Sequence, residues 1–122
     1  NYTTLVGNLY VPYIRPQENG YRTDVRHVSF TASNRTGMKI IADDLISFSA
    51  HLNPMEDFDP GNMKAQRHTI DIKPKGKVWL SIDYRQTGVG GDNSWSKDGL
   101  ANDEYKIDPD QCSYGFTIRR LE

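Results

Sequence analysis

Three glycines within four positions lead into an indole in the segment Gly88-Val89-Gly90-Gly91-Asp92-Asn93-Ser94-Trp95-Ser96. Glycine at that density implies a required backbone shape. An indole flanked by small polar residues suits sugar recognition, because its apolar face covers the C–H face of a pyranose while its N–H stays available to a hydroxyl. The segment lacks the G-x-G-x-x-G order of dinucleotide sites, and no helical pattern follows to receive a pyrophosphate. On residue types alone a second assignment stands beside the first: a glycine-rich turn whose Trp95 fills a hole in the core. Trp is buried on average, whereas loops on a rigid scaffold carry binding residues. Trp79, in mid-strand, reads as a packing residue.

The other reactive residue types do not gather into a reaction centre. His27, His51 and His68 are far apart in the chain and Cys112 is alone, which argues against a zinc site. His68 reads as a hydrogen-bonded imidazole on a strand. Asp43-Asp44, Glu56-Asp57-Phe58-Asp59 and Asp103-Glu104 do not match a calcium loop and read as solvated loops. Glycoside hydrolysis needs two carboxyl groups facing each other across the bond, one of them raised in pKa. No such pair is legible. No serine sits in a G-x-S-x-G elbow, and the sequons at Asn1 and Asn34 are short enough to arise by chance. No catalytic residue and no metal ligand is therefore assigned.

What must hold these residues is a set of short strands. Val78, Leu80, Ile82 and Tyr84 alternate with Trp79, Ser81 and Asp83, and Tyr114, Phe116 and Ile118 alternate with Gly115, Thr117 and Arg119. Shorter alternations lie in Val25 to Ala32, Met38 to Asp43, Ile46-Phe48-Ala50 and Ile70-Ile72. Asn34-Arg35-Thr36-Gly37 reads as a hairpin link. Turn chemistry recurs at residues 15–20, 59–62, 73–76 and 107–110. Asn53 as N-cap with Pro54 behind it predicts one helical turn, ended by Asp59-Pro60-Gly61. The fold class expected is all-β, an antiparallel β-sandwich.

At 122 residues the chain predicts a single domain. A net charge of −1, with Lys and Arg scattered, offers no footprint for a phosphate backbone or anionic lipid, so neither nucleic acid nor membrane is an expected partner. One cysteine leaves the redox compartment open, cytoplasmic or periplasmic. An initial Asn1 and an apolar alternation running almost to Glu122 predict an excised piece whose missing part lies upstream.

Two segments together resemble the C-terminal domain of family 2 β-galactosidases. Tyr13-Ile14-Arg15-Pro16-Gln17-Glu18-Asn19-Gly20-Tyr21-Arg22 is similar to that family's Y-x-x-P-x-E-N-G-x-R, and Gly90 to Trp95 to its G-G-D-x-S-W, with Val78 to Tyr84 resembling the strand between. The resemblance spans nearly the whole chain. It implies a piece of a galactose mutarotase-like supersandwich and a parent that hydrolyses terminal β-D-galactosides such as lactose. The catalytic pair would be two Glu residues in a separate (β/α)₈ barrel of that parent. Trp95 would bind sugar at the mouth of the active site, with Gly90, Gly91, Asp92, Asn93 and Ser94 shaping its loop. Glu18, Asn19 and Arg22 would brace loops. The resemblance implies no cofactor in this piece, and for many parents a cation whose ligands lie outside it. The expected partners are a galactoside and the parent's barrel domain. Half a sandwich would also expose an apolar face or strand edge, which predicts self-association as a homo-oligomer. The alternatives are an independent carbohydrate-binding module and an architectural domain.

Overall fold

Ile46, Ser47, Phe48, Ser49 and Ala50 are buried one after another. Successive strand residues point to opposite faces, so an unbroken buried run means that both faces are covered. The computed structural model, which describes residues 1–13, 19–59, 62 and 68–122, places this run in the longest strand. The strands are β1 (Arg22–Thr31), β2 (Gly37–His51), β3 (Trp79–Asp83) and β4 (Phe116–Leu121), and they form one four-stranded sheet. β2 neighbours β1 and β3 and also pairs with β4. The β2–β4 pairing is antiparallel, from Gly37 opposite Leu121 to Ala42 opposite Phe116. Among the described residues only one α-helical turn, α1 (Met55–Phe58), and a few 3₁₀ turns stand beside these strands, and the chain is all-β.

The chain divides into two compact units, residues 1–22 with 48–82 and residues 23–47 with 83–122. In the first, the Tyr10 ring meets Phe58 at 5.7 Å and His51 edge-on at 6.4 Å. Burial raises the Tyr10 phenol above its ordinary pKa. Pro54, rather than Asn53, caps α1. Asn53 is buried, and its Nδ2 donates to Asp57 Oδ2 and to the Lys73 carbonyl. Asp57 also pairs with Lys75 at 2.7 Å, so this acidic cluster lies on a helical turn with partners and is not a solvated loop. Asp59 follows α1 at its C-cap, while Pro60 and Gly61 of the expected stop lie outside the described residues.

Two expectations in this unit fail together. The Ile70-Ile72 alternation is not a strand: Thr69–Asp71 is a 3₁₀ turn, and Asp71 Oδ2 accepts the His68 N–H at 3.0 Å. A short acidic side chain that satisfies a nearby backbone donor competes with the sheet ladder. His68 therefore opens a turn and is exposed.

In the second unit β1 and β2 form a hairpin over residues 32–36. Asn34 Oδ1 accepts from the Thr36 N–H and hydroxyl, while Arg35 takes the left-handed conformation at φ +69°. The two short strands expected at Met38–Asp43 and Ile46–Ala50 are one continuous strand. Asp43-Asp44 lies within it and not in a loop: both side chains are exposed, and the Asp43 N–H donates to the Gly115 carbonyl, which extends the ladder beyond Phe116. Exposed strand positions tolerate charge at little cost, so a charged pair does not end a strand. Tyr114 precedes β4, and its ring lies 6.1 Å from Tyr84 and 6.2 Å from Phe116. Met38, Tyr114, Phe116 and Ile118 are all exposed, whereas Ile40, opposite Ile118, is fully buried.

Candidate functional site

The segment that carries the indole is tied at its base by backbone. The Gly88 N–H donates to the Tyr105 carbonyl at 2.7 Å, and a Cβ on Gly88 would meet the Cβ atoms of Ala101 and Tyr105. Further along, the Asp92 N–H donates to the Asp98 carbonyl at 2.7 Å. Gly91 sits so close to the carbonyl oxygens of Asp98 and Leu100 that a Cβ there would collide with both. Backbone cannot yield as a flexible side-chain tip can, so only glycine fits. Gly90 has open space around it and takes no part in this closure.

Inside the closed loop, Asn93 Oδ1 accepts the N–H of Trp95 at 3.0 Å and of Ser96 at 2.9 Å. Its Nδ2 donates to Ser96 Oγ at 2.9 Å. Ser96 Oγ also accepts the Asp98 N–H at 3.1 Å, capping the 3₁₀ turn Lys97–Gly99, and lies 3.2 Å from Asp98 Oδ2, to which its proton can be donated. Asn93 is half-buried, while Asp92, Ser94 and Trp95 are exposed. Trp95 is 85% exposed, so it does not fill a hole in the core of this chain. Trp79 is half-buried in β3. Ser96 and Asp98 were not singled out from the sequence; the signal for them is the preference of Asn and Ser for local side-chain-to-backbone bonds at turns.

The other motif lies in the first unit. Asn19 pairs through its side-chain amide with both backbone groups of Val11, accepting the N–H at 3.2 Å and donating to the carbonyl at 3.1 Å. Gly20 takes φ +69°, and a Cβ on it would stand 2.7 Å from the Leu9 carbonyl. Arg22 Nε donates to the Tyr2 hydroxyl at 2.6 Å, and its Nη1 to the Tyr21 carbonyl. Glu18 lies outside the described residues.

Among the described residues, no three His, Cys, Asp or Glu side chains converge to hold a metal ion. Nor, among them, is any helix long and apolar enough to cross a membrane. Cys112 is exposed, with its thiol 3.3 Å from the Asp108 carbonyl. Asp103 is fully exposed, and the hydrogen bond and charge of Lys106 hold its carboxyl below the usual range. A shallow cleft of about 400 Å³ in the first unit is lined, among the described residues, by Asp57, Asp71, Ile72, Lys73 and Lys75.

The structure is thus an all-β chain that holds an exposed indole on a loop closed by backbone and clamped by one amide. The chain is a member of the family described as "Beta galactosidase small chain", which it matches over residues 1–118. It is 33% identical over 114 residues to a β-galactosidase of Leuconostoc mesenteroides, covering 93% of this chain and 10% of that protein. A β-galactosidase of Oenococcus oeni is 35% identical over 109 residues, covering 89% and 10% respectively. One of Streptococcus thermophilus is 29% identical over 122 residues, covering 98% and 11%. The chain thus spans about a tenth of the length of the relatives it matches.

Proposed function

We propose that this chain is one domain of a β-galactosidase that hydrolyses terminal β-D-galactosides such as lactose, and that it supplies binding surface rather than the catalytic carboxyl pair. Trp95 is the stacking platform, its indole covering the apolar face of the galactosyl ring at a pocket whose reacting groups come from a barrel domain of the same polypeptide. The observation that carries this reading is the exposed indole on a clamped loop, in a chain that spans about a tenth of relatives named β-galactosidases. Each acid and base step then belongs to the barrel. The contribution of this chain is to orient the sugar and cover it from water. Asn19 and Arg22, bonded to Val11 and Tyr2, brace the segment before β1. In the parent, the sheet is one layer of a sandwich, and the exposed face of Met38, Tyr114, Phe116 and Ile118 lies against the rest of it. Set free, that face leads the isolated chain to self-associate. Any cation the parent requires is held by residues beyond those described.

The test is galactoside hydrolysis by the parent lacking residues 1–122, assayed with and without this chain added back. Activity restored by the native chain, but not by Trp95→Ala, is the expected result. Full activity of the truncated parent alone would remove this domain from the pocket. Binding of methyl β-galactoside by the isolated chain, with protection of Trp95 from iodide quenching, would then identify an independent carbohydrate-binding module.

A further inference from the structure

The indole of Trp95 is 85% exposed, so little packing fixes it and what aims it is chiefly the backbone beneath. That backbone is held by one side chain. Asn93 Oδ1 accepts two consecutive N–H groups, those of Trp95 and Ser96, which fixes the peptide on either side of the Trp95 Cα. The orientation of Asn93 is fixed in turn, because its Nδ2 donates to Ser96 Oγ. That oxygen is itself saturated: it accepts from the Asn93 amide and the Asp98 N–H, and its proton faces Asp98 Oδ2. Gly99 closes against the Asn93 carbonyl, where a Cβ would stand 2.8 Å away. The result is a clamp of Asn93 and Ser96 anchored on Asp98, in which the Asn93 amide and the Ser96 hydroxyl are bonded and the indole between them projects into open space.

We infer that Asn93 is the positioning residue of the site, acting on substrate only through Trp95, and that Ser96 is the brace that orients it. The inference rests on the proposal that Trp95 faces the galactoside. Its physical basis is that local order in a surface loop comes from few bonds, so removing a doubly accepting oxygen frees the backbone it held. The acceptor is the essential feature and the amide is not. A carboxylate at this position offers oxygens to the same two N–H groups with charge assistance, and Ser96 can turn its proton to it. Alanine offers nothing.

The experiment is a double-mutant cycle in the full-length parent, read as kcat/KM for lactose together with the melting midpoint. Trp95→Ala is expected to lower kcat/KM by about tenfold or more, Asn93→Ala by about fivefold, and the double variant no further than Trp95→Ala alone. Asn93→Asp should restore most of the activity. An Asn93→Ala loss that persists undiminished in the Trp95→Ala background would show a role independent of the indole and overturn the inference. So would full activity of Asn93→Ala beside a weakened Trp95→Ala, or an Asn93→Asp variant as poor as alanine. Should Asn93→Ala not fold, Ser96→Ala enters the same cycle, with a smaller loss expected and the same requirement that Trp95→Ala abolish it. If Trp95→Ala is itself without effect, the stacking proposal fails, a result distinct from failure of the clamp.

Discussion

The run Ile46–Ala50 and the loop Gly90–Leu100 reach definite shapes by opposite means. In β2, five consecutive residues are buried, and Ile46 at 0% exposure is among the most enclosed side chains of the chain. In the loop every residue is exposed or half-buried, and the order comes from the Asp92–Asp98 backbone bond, the bonds of Asn93 and the space that Gly91 leaves open. Apolar burial scales with area and is shared among many contacts, whereas a loop of this kind depends on a few directional bonds. Damage to the first region should therefore unfold the chain, and damage to the second should misplace one side chain.

Three substitutions sharpen that contrast. Ile46→Ala removes a fully buried side chain and should cost about 2–5 kcal/mol, measured as a loss of unfolding free energy in urea. A cost below about 1 kcal/mol would mean that β2 is not where the stability resides. Gly91→Ala drives a Cβ into the Asp98 and Leu100 carbonyls and should cost about 1–3 kcal/mol, with a change in iodide quenching of Trp95. Unaltered quenching would show that the loop has a second closed form. Trp95→Ala should change stability by no more than about 0.5 kcal/mol, since the side chain is bare. A larger loss would place the indole in the fold rather than at its edge.

The same contrast governs how much could be read from the residues. β1, β3 and the hairpin at Asn34–Gly37 follow from alternation and turn chemistry, which are local. The continuity of β2 was hidden by Asp43-Asp44, because a charged pair looks alike in a loop and on the exposed part of a strand. Three residues at Ile70–Ile72 are too few to distinguish period two from a 3₁₀ turn, and Asp71 decided for the turn. Trp95 stood out by its neighbours, yet whether an indole fills a core or faces outward is a tertiary property that no local pattern contains. The bracing roles of Ser96 and Asp98 are not legible in the sequence for a related reason: they exist only once Asp92 and Asp98 have met across the loop.

The central claim is that this chain contributes to galactoside turnover through a single exposed indole, and kcat/KM for lactose of the full-length parent carrying Trp95→Ala tests it most directly. The account predicts a loss of about tenfold to a hundredfold at an unchanged melting midpoint. Native kinetics in a variant that folds normally would contradict it and leave the exposed Trp95 without a part in the reaction.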